Sequence, residues 1–311
     1  MSQELPDGMV WIEGGRFQMG SDAFYPEERP ERPVQVDGFW IDAVPVTNRR
    51  FAAFVAATGW VTLAERPADP RDYPGAPPEM LVPASSVFDP IPGVATLAVP
   101  LSWWSYVPGA SWSHPYGPDS DLSGLDDHPV VHVAWQDVEA FAQWAGLDLP
   151  TEAEWEFAAW GGAINQAFVW GHELEPDGQH MANVWQGQFP DDNRVSDGWF
   201  RTSPVGTYPA NGYGLHDMIG NVWEWTRDWW GAAPAMPTKT CCAPLNPRGA
   251  PRSGSGDAAN PKMPRKVLKG GSHLCAPNYC QRYRPPARHP QAIDTATSHI
   301  GFRCVKRVRA R

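Results

Sequence analysis

The sequence is short of cysteine, of positive charge and of long apolar runs, and each absence closes off a class of function. Five Cys in 311 residues, an odd number, exclude a dense disulfide scaffold and leave thiol chemistry or metal binding open at individual sites. Lys and Arg number 25 against 35 Asp and Glu, for a net charge of −10. No overall positive field gathers phosphates, so nucleic acid is excluded as a partner, whereas a cationic peptide suits this charge. No stretch nears the roughly 20 apolar residues of a membrane span. The start "MSQELPDGMVWIEGG" carries acid where an export signal carries base. These features lead us to expect a soluble, cytoplasmic protein with no membrane contact.

What is present is aromatic. The 17 Trp, 12 Phe and 8 Tyr are spread among 29 Gly and 34 Pro, a composition for a compact chain with much irregular backbone held by large side chains. Helical signals are few. "TNRRFAAFVAATG" sets Phe51, Phe54 and Val55 on one face between a Thr47 cap and Gly59. "VEAFAQWAG" repeats the spacing with Val138, Phe141, Ala142 and Ala145 before Gly146, and "PTEAEWEFAAWGG" shows a Thr151/Glu154 capping box closed by Gly161 and Gly162. "MVWIEG", "VVHVAW", "KVLKGG" and "IGFRCVKRV" read as short strands. The pattern is α+β in one domain, 1–311. Residues 66–126 are expected as ordered loop pinned by Trp103, Trp104, Tyr106 and Trp112, and 246–266 as a mobile loop.

Three constellations bear chemistry. His128 and His132 in "HPVVH" sit four apart, but Pro129 and two valines favour an extended segment, where four residues cover about 13 Å and one metal cannot bridge them. A structural role follows for both. Asp217, Gly220 and Glu224 in "HDMIGNVWEW", and Asn183 and Asp197 further upstream, offer oxygen donors that suit Ca²⁺ or, taken alone, ordinary turns. Cys275 and Cys280 in "LCAPNYC" allow a disulfide, a low-coordinate soft ion such as Cu(I), or two buried structural thiols. A zinc site is short of ligands, with only His273 nearby. Spacing leaves these readings open.

The succession "WIEGGRFQMGS", "PVTNRRFAAFV", "SWWSYVPGASWSHPYGP", "DHPVVHVAWQDVEAFAQWAG", "LPTEAEWEFAAWGG", "ANVWQGQFP", "NGYGLHDMIGNVWEWTRDWW", "KGGSHLCAPNYCQRYR" and "GFRC" closely resembles the formylglycine-generating enzymes, or sulfatase-modifying factors, over nearly the whole chain. "LPTEAEWE" and "GNVWEW" are shared with the wider superfamily; "GGSHLCAPNYCQRYR" is the specific signal, because catalytic members carry its cysteine pair.

The resemblance implies a single domain with a C-type-lectin-like core. It also implies a copper-dependent oxidation, using O₂ and an external thiol or other reductant. The substrate is the cysteine of a CxPxR motif in an unfolded or nascent sulfatase polypeptide, and the product is Cα-formylglycine. By the same match Cys275 and Cys280 hold Cu(I), Ser272 and Tyr279 line the site, and Trp223 forms an aromatic wall. Asn183, Val184, Asp197 and Trp199 match one family Ca²⁺ site; Asp217, Gly220, Val222 and Glu224 match the other. A monomer is expected. Ala158, Ala159 and Pro285 stand where secreted vertebrate members pair extra cysteines, so Cys304 loses its partner, as befits a cytoplasmic prokaryotic version. Cys241 and Cys242 match nothing in the family pattern. Two rivals are a non-catalytic binding module on the same scaffold and a non-haem-iron sulfoxide synthase. The second needs an additional N-terminal helical domain carrying histidines.

Overall fold

A computed structural model describes residues 7–91, 94–164, 166–232, 243–257 and 260–308; Cys241, Cys242 and two alanines of the 246–266 segment lie outside them. Regular elements are short and come in the order β1 (Met9–Ile12), β2 (Gly15–Met19), β3 (Arg32–Val36), β4 (Phe39–Asp42), α1 (Asn48–Thr58), β5 (Ala84–Phe88) and β6 (Trp104–Pro108). Then follow α2 (Trp135–Trp144), α3 (Glu152–Trp160), β7 (Gly187–Gln188), β8 (Asp192–Asn193), β9 (Trp223–Trp229), β10 (Arg265–Lys269), β11 (Arg288–Ala292), β12 (Ile300–Gly301) and β13 (Val305–Arg307). They form a three-stranded sheet β1-β4-β13, a four-stranded sheet β11-β10-β9-β12 and three hairpins, a mixed α+β arrangement.

Local chemistry explains the helices. Thr47 Oγ1 accepts the Arg50 N–H at the start of α1, and Gly59 ends it at φ 67, a left-handed cap that costs glycine little. In α3 the capping box is reciprocal: Thr151 Oγ1 accepts Glu154 N–H at 3.1 Å, and Glu154 Oε2 accepts Thr151 N–H at 2.7 Å. The second helix begins at Trp135, three residues before the spacing suggests, because the Asp137 carboxylate caps the Ala134 N–H at 2.9 Å.

Three expectations are corrected. "VVHVAW" is no strand. Residues 128–135 are all buried, so their apolar run has no solvent face, and His132 turns the chain at φ 58. "IGFRCVKRV" divides into β12 and β13, since Gly301 to Cys304 carry the chain from the four-stranded sheet to the three-stranded one. The expected loop 66–126 contains the β5-β6 hairpin, whose register pairs Phe88 with Trp104. Pairing partners separated by a proline-punctuated stretch give no local signal.

Two apolar clusters flank the four-stranded sheet. One joins Phe51, Phe54, Phe141 and Phe302 to Trp223, Trp225, Cys275 and Cys280; the other gathers Phe39, Trp155, Leu215 and Val305. A smaller one, around Phe88, Trp103, Trp185 and Phe189, meets the 274–276 segment. The β10-β11 connection, residues 270–287, lies where the first and third meet.

Candidate thiol site

The chain leaves β10 through Gly270 and Gly271. At Gly271, φ is 73 and a Cβ would lie 2.9 Å from the Arg282 carbonyl oxygen, so only glycine lets the returning strand of the loop close over it. Two tight turns follow. Ser272 O accepts Cys275 N–H at 2.9 Å, and Ala276 O accepts the N–H groups of Tyr279 at 3.1 Å and Cys280 at 2.8 Å. They bring Cys275 Sγ and Cys280 Sγ to 3.2 Å, well beyond the ~2.05 Å of a disulfide bond. Both are free, buried thiols.

The pair holds its protons unequally. Cys280 is pulled below the ordinary thiol range by the hydrogen bond from Cys275 and by the positive charge of Arg282, whose Nη1 lies 3.8 Å from Cys280 Sγ. Burial and the neighbouring sulfur push Cys275 the other way. The result is one thiolate accepting from one thiol. Tyr279, next to Cys280 in sequence, is 44% exposed, its ring stacked on Phe189 at 4.4 Å and edge-on to Trp103 at 5.2 Å. Burial and the adjacent sulfurs push its hydroxyl up to about 12, so it keeps its proton as a donor at neutral pH.

A clamp from the other end of the chain fixes this loop. Arg282 Nη2 donates to Glu27 Oε1 at 2.5 Å and its guanidinium covers the Tyr25 ring at 4.0 Å. Arg284 is buried against both oxygens of Glu28, at 2.6 and 3.0 Å, and against Phe24. Tyr25 Oη accepts the Gln281 N–H at 3.0 Å. The sequence shows "FYPEE" and "QRYR" as complementary in charge, but nothing local says that segments some 255 residues apart meet.

Of the residues expected in the site, Ser272 is fully buried, its Oγ accepting the Leu274 N–H at 3.3 Å. Trp223 shares an apolar cluster with both cysteines and lies 5.6 Å from the His289 ring. Burial lowers His289 and His273 to about 4, so both are neutral. His128 and His132 are structural. The first meets Thr202 Oγ1; the second is sealed between Ser85 Oγ and the Pro115 carbonyl. Cys304 is a buried free thiol.

The two oxygen-rich turns are neighbours. Gly220, at φ 76, sits so close to Asn183 that a Cβ would lie 2.3 Å from the Asn183 carbonyl oxygen. Asn183 Nδ2 donates to Arg201 O, and Val184 O accepts from Gln186. Asp197 accepts from Trp199 N–H and Tyr208 Oη. In the second turn Val222 is buried, and Asp217, raised by burial, accepts the Gly206 N–H. Glu224 is engaged by Arg303, at 2.8 Å, and by Trp155 Nε1, at 2.7 Å. A cavity of about 360 Å³ lined by Trp135, Glu139, Trp229 and Lys266 shares no residue with the thiol loop, so cavity size does not lead to this site.

Comparison with known proteins agrees with the loop. The family described as "Sulfatase-modifying factor enzyme 1-like domain" matches residues 1–308. The chain is 52% identical to the formylglycine-generating enzyme of Mycobacterium tuberculosis, over 96% of this chain and 97% of that one. It is 45% identical to the enzyme of the same name from Thermomonospora curvata, over 97% and 94%. Among solved structures, PvdO from Pseudomonas aeruginosa shares the fold with a TM-score of 0.61 at 23% identity, over 96% of this chain and 94% of that one. The chain therefore belongs to the sulfatase-modifying factor, or formylglycine-generating enzyme, family.

Proposed function

We propose that this protein oxidises the cysteine of a CxPxR segment in an unfolded or nascent sulfatase polypeptide to Cα-formylglycine. The observation that carries the reading is the free thiol pair, 3.2 Å apart, in a chain 52% identical to a formylglycine-generating enzyme. The electron count is set by the chemistry. Converting a cysteine and water to an aldehyde and hydrogen sulfide releases two electrons, while reducing O₂ to two waters takes four. An external thiol supplies the other two as it becomes a disulfide.

The donor set fits Cu(I). Two soft sulfurs lie together, and among the described residues no third His, Cys, Asp or Glu joins them, which suits a soft ion of low coordination number rather than zinc. Bound by Cys275 and Cys280, Cu(I) supplies the one-electron chemistry that lets O₂ act on a thiolate. The chain's own contributions are more direct. Arg282 favours the Cys280 thiolate, Tyr279 carries a protonated hydroxyl within the electrostatic reach of the sulfurs, and Trp103 and Phe189 hold its ring in place. Ser272 fixes the turn through its oxygens.

Calcium is proposed at both oxygen-rich turns as a source of order in a loop-rich fold. The first offers the Asn183 side-chain oxygen, the Asp197 carboxylate and the carbonyls of Val184 and Trp199. The second, with carbonyls of Gly220 and Val222, has Asp217 as a buried carboxylate that forms no ion pair among the described residues, Arg303 being paired with Glu224. Chelation with EDTA is expected to lower Tm by about 3 °C and calcium to restore it; an unchanged Tm removes the proposal. We further propose a monomer working in the cytoplasm, a reading supported by the free thiols. No helix among the described residues is long and apolar enough to cross a membrane.

The deciding experiment is to incubate copper-loaded protein with a CxPxR peptide and a thiol in air and to follow the peptide by mass spectrometry. Loss of sulfur with gain of an aldehyde is expected, and is abolished by Cys275→Ser. Unconverted peptide, or full conversion by the variant, overturns the reading.

A further inference from the structure

Arg201 is a cation without an anion. Arg282, Arg284 and Arg288 each meet a carboxylate, at 2.5, 2.6 and 2.8 Å. Arg201 forms no ion pair among the described residues; Asp89 acts on it only through space. Its guanidinium lies instead 4.0 Å from the centre of the Tyr116 ring and 5.9 Å from that of Phe200. The residue is partly exposed. Stacking orients the planar fork and leaves its N–H edge free, an arrangement suited to a carboxylate.

The surroundings connect this arginine to the thiols. Phe200 lies 6.3 Å from Trp185, Trp185 lies 5.2 Å from Phe189, and Phe189 carries Tyr279 at 4.4 Å. Tyr116, Phe200 and Tyr279 are 40, 43 and 44% exposed, so the ridge shows aromatic surface at both ends. An extended peptide advances about 3.3 Å per residue, which places Arg201 within about eight residues of a cysteine held at the thiol pair. On a chain with net charge −10, a lone arginine here attracts an acidic group that the rest of the surface repels.

We propose that Arg201 is a substrate-positioning residue that receives an acidic side chain of the substrate polypeptide, a few residues from the target cysteine, with Tyr116 and Phe200 flanking it. The proposal rests on the oxidation of a polypeptide cysteine argued above. It adds a specificity determinant outside the CxPxR segment.

The test walks a single Glu, or Gln as control, through the eight positions on each side of a CxPxR peptide. At one position Glu is expected to lower KM about fivefold relative to Gln with kcat unchanged. Arg201→Gln erases that preference and Arg201→Lys retains part of it. Equal KM for Glu and Gln at every position, or a preference that survives Arg201→Gln, overturns the proposal. Fluorescence anisotropy with labelled peptides carrying Ser for the target Cys repeats the comparison without turnover. If no peptide is oxidised, the oxidase reading fails, and the anisotropy result still decides Arg201.

Discussion

Two charged regions sit on either side of the end of β10, and they are built on opposite plans. Behind it, Lys269 is buried against Glu156 at 2.9 Å and near Glu152, which Arg288 holds at 2.8 Å; Glu156 also accepts the Gly20 N–H. A few residues further on, Cys275 and Cys280 share a proton, with Arg282 as the cation beside them. The first region is closed: its charges are matched and its acceptors occupied. The second is left with a nucleophilic sulfur and an exposed tyrosine. Charges that are fully matched in the interior make a scaffold, whereas an incompletely matched pair near the surface retains reactivity.

The contrast breaks most visibly in turnover. Cys280→Ser keeps the size of the side chain and removes the soft donor, so peptide conversion is expected to fall more than about 1,000-fold while Tm stays within about 2 °C. A large drop in Tm would make the thiols scaffold after all. The closed region predicts the reverse. Lys269→Met strands Glu156 in the interior and is expected to cost about 3–5 kcal/mol in a denaturant melt, much of it recovered by adding Glu156→Leu. If the single variant is neutral, the lattice does not hold the fold.

A smaller effect sharpens the comparison within the cysteines. Alkylation follows the thiolate, which grows as pH rises through the group's own pKa. Cys280 is held below the ordinary value and Cys304 far above it by burial. Iodoacetamide at pH 7 is therefore expected to label Cys280 at least about tenfold faster than Cys304. The Cys280 rate should level off at a pH where an ordinary thiol is only beginning to react. Equal labelling, or a Cys280 profile centred near 9, would show that the hydrogen bond from Cys275 and the charge of Arg282 do not lower the Cys280 thiol.

Features encoded over three or four residues are legible in the chain. The Thr47 and Thr151 caps, the left-handed glycines and the burial of Phe51 and Phe54 follow from neighbours in sequence, and the structure has them as read. The β5-β6 hairpin and the true course of "VVHVAW" were not legible. Alternation reports a face only when the other side meets water, and residues 128–135 have no such side. In the site, the cysteines were conspicuous, but the clamp of Glu27, Glu28 and Tyr25 on Arg282 and Arg284 was not.

By itself the sequence determined the composition of a loop-rich aromatic α+β chain, the capped helices, the family resemblance and the two thiols in one short loop. Only the tertiary structure decided how those thiols behave. A pKa depends on distances and burial: Cys275 and Arg282, which set it here, share the loop with Cys280, while the carboxylate that anchors Arg282 comes from the other end of the chain. The same holds for Arg201: one arginine among many in the sequence, it stands out because folding gives the others around the thiol loop both a carboxylate and an aromatic ring, and gives this one aromatic rings alone among the described residues.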